Sequence, residues 1–280
     1  MLRSVNDLHG YTISASDGDI GNVEDLYFDD EAWGVRDLVV DTGSWLPGRK
    51  VLISPFSVTR TDGGERSIHV QLTREQVKDS PDIDTRKPVS RQHELEHLRY
   101  FGYPVYWGGP YLWGLSGYPM LAPGLAPRAA PSPSVAAQKR ERVLRDTDRR
   151  SEDSRLRSAE QVKGYHVLAA DDGIGHVEDF ILDDEAWDIR YLVIDPTNWW
   201  PGGRMALVAA RWINGIDWAQ RTVNVNVTRD AIRNSPEYDP DVPITRDYEA
   251  RLHEFYGRAI RSQTPADGAA RAAPVREPAP

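Results

Sequence analysis

The pentapeptide Asp29-Asp30-Glu31-Ala32-Trp33 returns unchanged as Asp183-Asp184-Glu185-Ala186-Trp187, so the chain carries an internal duplication. The match extends in both directions. Gly21-Asn22-Val23-Glu24-Asp25 answers Gly175-His176-Val177-Glu178-Asp179, and Arg36-Asp37-Leu38-Val39-Val40-Asp41 answers Arg190-Tyr191-Leu192-Val193-Ile194-Asp195, at an offset of 154 residues. Past Pro47-Gly48 and Pro201-Gly202 the offset becomes 155, because Thr73-Arg74 pairs with Thr228-Arg229 and Ser80-Pro81 with Ser235-Pro236. One residue is therefore inserted after the second copy's turn. So long a period exceeds that of solenoid repeats, which predicts that each copy is a small domain with its own core.

Within the first copy, residues 10–15 read as a short strand, followed by an Asp-Gly turn at Ser16-Asp17-Gly18-Asp19 of the kind that favours tight hairpins. Residues 20–28 continue as a strand and Asp29-Asp30-Glu31 forms the next turn. Residues 35–41 read as a buried strand from the Leu38-Val39-Val40 run, and residues 50–53 as the strand after the Pro-Gly turn. Residues 68–73 alternate apolar and polar, as do 223–228. Thr73 and Gln76 have the spacing of a capping box, predicting a short helix over 74–78; Ala231 replaces the Gln in the second copy. Closure removes exposed sheet edges, so this run of short strands predicts two small antiparallel β-barrels, each followed by short helices. In the second copy Tyr248, Leu252, Phe255 and Tyr256 make the apolar stripe of a trailing helix, with Arg246, Glu249, Arg251 and Glu254 elsewhere on the wheel.

Composition shifts then set the boundaries: a first repeat with its trailing helix over 1–102, a flexible linker over 103–157, a second repeat with its helix over 158–258, and a disordered tail over 259–280. The linker is first aromatic, then Pro/Ala-rich, then charged. A net charge of −9 argues against binding nucleic acid or anionic lipid, which calls for a cationic surface. With no cysteine there is no disulfide, thiolate nucleophile or Cys-ligated zinc. No apolar run is long enough for a membrane span, and the first residues lack the apolar stretch of a secretion signal, so the expected location is the cytoplasm.

At Gly10-Tyr11, Ile20-Gly21-Asn22-Val23-Glu24-Asp25, Leu38-Val39-Val40-Asp41 and Lys50-Val51-Leu52-Ile53-Ser54-Pro55 the chain resembles the PRC-barrel family, and the second copy resembles it too. That family is named for the cytoplasmic domain of the photosynthetic reaction-centre H subunit, and a related barrel closes a ribosome-maturation factor. The resemblance implies a bacterial, PRC-type tandem protein of the kind that docks on other macromolecules. Neither the transmembrane helix of the H subunit nor the RNA-related domain of the maturation factor is expected here. The motifs are strand-and-turn patterns that specify fold more than function.

The sharpest chemical motif is His93-Glu94-Leu95-Glu96-His97, a literal H-E-x-x-H that sets two imidazoles on one helix face, as a zinc hydrolase requires. A third ligand is missing nearby, and Tyr248 and Leu252 stand at the two His positions in the second copy, which marks a packing face. No catalytic, cofactor or metal residues are assigned. The acidic turns lack the ligand spacing of a calcium loop and read as hairpin turns. Glu24-Asp25 and Glu178-Asp179 place adjacent acids inside strands, and the inward acid is expected to bond Arg36 or Arg190 on the neighbouring strand. Trp33 and Trp187 are expected to close one end of each barrel. Tyr103, Tyr106, Trp107, Tyr111 and Trp113 either form a contact surface for a protein partner or fold back over a barrel. The functional expectation is a non-enzymatic interaction or adaptor module, two barrels on a flexible linker. The alternative is an H-subunit-like accessory docked peripherally on a membrane electron-transfer complex.

Overall fold

The computed structural model describes residues 1–81, 89, 91–107, 109–121, 156–196 and 204–257. Most of the expected linker, the expected tail and the residue inserted after Pro201-Gly202 lie outside the described residues. The first half runs β1 (Leu2–Ser4), α1 (Val5–Leu8), β2 (Thr12–Ala15), β3 (Gly18–Asp29), β4 (Val35–Asp41), β5 (Lys50–Ile53), a 3-10 turn (Pro55–Ser57), β6 (Val58–Asp62), β7 (Ser67–Val70), α2 (Arg74–Lys78) and α3 (Arg91–Phe101). The second half repeats the order: β8 (Leu156–Ser158), α4 (Ala159–Val162), β9 (His166–Leu168), β10 (Gly173–Asp183), β11 (Asp188–Asp195), β12 (Ala206–Ala209), a 3-10 turn (Ala210–Trp212), β13 (Ile213–Asp217), β14 (Thr222–Val225), α5 (Arg229–Arg233) and α6 (Arg246–Phe255).

Each half builds one sheet, in the order β5-β4-β3-β2-β7-β6 and β12-β11-β10-β9-β14-β13. Two expectations are corrected here. The end strands β5 and β6 are consecutive in the chain and joined by one 3-10 turn, but among the described residues no ladder joins them, so the sheet does not close into a hydrogen-bonded barrel. The sheets are also mixed, since β2 pairs with β7, and β9 with β14, in parallel. These partners are distant in sequence, and apolar periodicity carries no information on strand direction.

In the long strand β3, a Cβ added at Gly21 would lie 2.0 Å from the Asp41 carbonyl oxygen; at Gly175 in β10 it would lie 2.3 Å from that of Asp195. Only glycine lets the neighbouring strand approach so closely. Thr73 and Gln76 cap α2 reciprocally, as their spacing predicts, and Thr228 caps α5 by its hydroxyl alone.

The halves are not independent. One edge of β3 is covered by β2 only from Gly18 to Asn22, and past that point β8 of the other half takes over, pairing Tyr27 with Ser158, Phe28 with Arg157 and Asp29 with Leu156. Reciprocally, β1 pairs Leu2 with Asp183, Arg3 with Leu182 and Ser4 with Ile181 on β10. Each half thus lends its first strand to the other's sheet. The expected boundary between 157 and 158 cuts through β8, so the second unit begins no later than Leu156.

The repeated pentapeptides meet at this exchange. Asp29 Oδ1 accepts the Glu31 and Ala32 N–H groups at 3.0 and 3.1 Å and closes the turn. Trp33 and Trp187 follow with φ of 60° and 53°, a left-handed conformation that bulky residues rarely adopt. The strain, of order 1–3 kcal/mol, is offset across the junction: Val35 N–H donates to Trp187 O at 2.8 Å and Ile189 N–H to Trp33 O at 2.7 Å. Trp33 stacks on Phe28 at 5.4 Å, and Phe28 meets Phe180 of the other half at 5.7 Å, within one apolar core that spans both repeats. The tryptophans are buried as expected, but they join the repeats instead of closing separate barrels.

Truncating Trp187, 2% exposed, to Ala should cost about 3–5 kcal/mol by lost burial and cavity formation. Because the core is shared, scanning calorimetry of the full chain should show one cooperative transition that moves down as a whole. Two resolved transitions of which only one shifts would return the halves to independence.

Candidate functional site: buried polar clusters and an aromatic strap

The acids singled out in β3 and β10 serve the exchange. Asp25 accepts from Ser158 Oγ at 2.5 Å and from the Glu160 N–H at 3.1 Å, while Asp179 accepts from Ser4 Oγ at 2.5 Å and from the Asn6 N–H at 3.1 Å. Ser4 and Ser158 are themselves the N-caps of α1 and α4. Each aspartate therefore secures the start of the other repeat's first helix, supplying an acceptor to orphan N–H groups. Burial raises the pKa of both carboxyls, although these hydrogen bonds lower it. Flanking ion pairs repeat the pattern, Arg157 with Asp30 at 3.2 Å and Arg3 with Asp184. The expected pairing of the inward acid with Arg36 or Arg190 is corrected: Glu24 meets Lys50 at 2.5 Å, Glu178 meets His176 at 3.5 Å, and the arginines go elsewhere.

Arg36 is buried, donating to Leu112 O at 2.7 Å, lying 3.5 Å from Asp29 and 3.6 Å above the Tyr106 ring. Beside it, α3 buries Glu94 and His97 while His93 is exposed. Glu94 accepts from the Tyr106 hydroxyl. His97 Nε2 lies 3.1 Å from Leu52 O, a carbonyl that can only accept, so this nitrogen carries the proton. Its Nδ1 is 3.6 Å from Asp37. Burial drives His97 down to about 4 and pushes Asp37 well above the carboxylate range, with Glu94 adding to the latter. The H-E-x-x-H helix thus directs one imidazole inward as packing and holds the other at an exposed position.

The second half builds a matching cluster from shifted positions. Tyr191 OH donates to Glu249 at 2.7 Å and lies 3.0 Å from His253 Nε2, and Arg211 lies 2.5 Å from His253 Nδ1. Arginine only donates, so Nδ1 accepts and Nε2 bears the proton; burial and then the charges of Arg211 and Arg190 hold His253 near 4. Arg190 stands 3.6 Å from Asp183 and 3.8 Å from Glu249. Placing Glu249 on the polar face of α6 is therefore corrected: it is buried, because Tyr191 and Arg190 satisfy it.

The aromatic stretch folds back. Tyr103 lies between Phe56 at 5.5 Å and Phe101 at 5.4 Å; Trp113 meets Phe56 at 4.9 Å and donates its indole N–H to Ala186 O at 2.8 Å, in the other repeat. Tyr103, Tyr106 and Trp113 are buried and cannot be contact surface, and Trp107 is half-buried. What reaches solvent is Tyr111, 40% exposed, with Leu115 at 88% and Met120 at 65%. Leu115 and Met120 carry no sequence signal of their own, lying in a Gly/Pro-rich run without apolar periodicity.

Residues 2–77 match the family model of the PRC-barrel domain. The first repeat is a PRC-barrel domain. The second repeats its element order and sheet topology, consistent with a second PRC-barrel copy. No curated protein matches the chain. Among the described residues no helix is long and apolar enough to cross a membrane.

His97 gives this cluster a pH signature. An unfolded imidazole protonates near 6.5 and folded His97 near 4. Between those values the unfolded state binds more protons, so His97's contribution to stability is complete above about 6.5 and lost as pH falls towards 4. The stability advantage of wild type over His97→Gln, measured by urea unfolding, should shrink by roughly 3 kcal/mol across that window. A pH-independent difference would place a solvated imidazole at position 97.

Proposed function

We propose that this protein is a non-enzymatic binding module in which two fused PRC-barrel repeats hold the strap over 103–121 as a contact surface for a protein partner. The observation that carries this is the strap's construction. Its root is pinned by the Arg36 to Leu112 and Trp113 to Ala186 hydrogen bonds, while Tyr111, Leu115 and Met120 point into solvent. Exposed aromatic and Met side chains on a fixed loop suit an interface, because little conformational entropy remains to be lost on binding. The chain's net charge of −9 favours a partner whose rim is basic. Exchanged strands also change the adaptor idea: the two repeats present their surfaces in a fixed relation, so linker-driven avidity is not the mechanism.

Affinity capture from native cells with full-length protein, compared with Leu115→Asp/Met120→Asp, tests the surface. Both residues are exposed, so the double variant should melt within about 0.5 kcal/mol of wild type. Loss of a central apolar contact, about 2 kcal/mol or more, should cut partner recovery by at least about tenfold. Equal recovery from both proteins would remove the strap from the interface. A partner recovered from membranes would favour the H-subunit-like accessory role over a soluble adaptor.

A further inference from the structure

The repeats differ sharply at one place on the sheet surface. In the first, Thr12, Asn22 and Asp41 stand in register across β2, β3 and β4, with Glu24 beside them. Lys50, paired in register with Asp41, sets its ammonium 2.5 Å from Glu24. Asn22 donates to Gly10 O at 3.1 Å and to Thr12 Oγ1 at 3.4 Å. That surface carries its own cation.

In the second repeat the same row reads His166, His176 and Asp195 across β9, β10 and β11, with Glu178 beside them. Ala206 pairs with Ile194 as Val51 pairs with Val40, so Met205 stands where Lys50 stands. Both carboxylates are kept, the ammonium is gone, and two polar neighbours have become imidazoles. His176 Nε2 lies 3.5 Å from Glu178 Oε2 and 3.7 Å from Asp195 Oδ2, and the three ligand atoms all fall within 4.8 Å of one another. These separations are long for hydrogen bonds. They are close to the edge of about 3.4 Å that ligands 2.0–2.2 Å from a tetrahedral zinc must have.

We propose that His176, Glu178 and Asp195 bind a divalent transition-metal cation of the zinc class, with His166, directly opposite His176 on the same face, closing the shell by a side-chain rotation. Mixed imidazole and carboxylate donors suit zinc and its neighbours over calcium or magnesium, which take oxygen ligands. The three side chains are partly exposed, so an ion can reach them, and once bound it would link β10 to β11. It is separate from the H-E-x-x-H helix, whose His97 is held by Leu52 and Asp37.

Zinc chloride titrated into the full chain by isothermal calorimetry tests this. We expect one zinc per chain, with affinity lowered at least about tenfold by His176→Ala or Asp195→Asn, since even loss of an outer-shell group costs 10–100-fold. Met205→Lys, which recreates the first repeat's ammonium and should keep the fold, should weaken binding similarly; His93→Ala should not. Absence of zinc binding would overturn the proposal and leave His176 as a plain polar neighbour of Glu178 and Asp195. Binding lost with His93→Ala but kept in His176→Ala, Asp195→Asn and Met205→Lys would overturn it in favour of the helix motif.

Discussion

Past Asn22, β3 has lost its neighbour β2 yet runs on to Asp29, and the backbone groups on that edge have to be satisfied or left open to any passing strand. Three residues of the other repeat do this, and much of the architecture follows. Once β8 lies on β3, Ser158 and α4 arrive beside Asp25, whose carboxylate would be a poor choice inside a strand without them. The same placement brings the two pentapeptide turns face to face, so that two strained tryptophans exchange backbone hydrogen bonds and Phe28 reaches Phe180. Because the strand pairings, the Asp–Ser contacts and the tryptophan backbone hydrogen bonds each occur twice with the roles reversed, the junction has the self-complementary form of a twofold dimer interface. Here both partners are in one chain, and the duplication does the work of dimerisation at no loss of translational freedom.

The buried polar clusters sit where the junction needs stiff walls. Arg36 and Arg190 each follow a pentapeptide turn and reach back to its first aspartate, and Arg190 also lies 3.8 Å from the buried Glu249 on the trailing helix. Buried charges are costly unless they are paired and hydrogen-bonded. The two repeats meet that demand with different side chains: His97 works against Asp37 in one, His253 against Tyr191 in the other. Leu252 fills the place of His97 and Leu98 that of His253, so the chemistry of the wall persisted while its positions moved by one residue.

Elements whose signal is local were legible in the sequence: β4, β5 and α2 fall where apolar runs, a Pro-Gly turn and a capping box put them. What escaped depends on partners remote in the chain. The parallel ladders and the strand exchange leave no mark in hydrophobic period, and Leu156, Arg157 and Ser158 follow a charged run that reads as linker. One signal was present, since Leu2-Arg3-Ser4 recurs as Leu156-Arg157-Ser158 at the repeat's own offset. Adjacent acids within a strand were noticed for being unusual, but finding their partners required knowing which helix lay opposite. His176 and Asp195 are far apart in sequence, and only register makes them neighbours.

The repeats have diverged on their exposed faces and stayed alike at their junction. A change in Trp33 or Asp25 must be tolerated by the opposite repeat, whereas a change in Asn22 or Lys50 touches only its own sheet surface. Surface positions are therefore free to differ, and they differ in kind: the first repeat carries an internal Lys50–Glu24 ion pair, while the second has imidazoles beside its carboxylates and Met205 at the lysine's place. The strap is not confined to its own half, because Trp113 ends on the turn carbonyl of Ala186. Its exposed side chains are consequently positioned by contacts to both repeats at once.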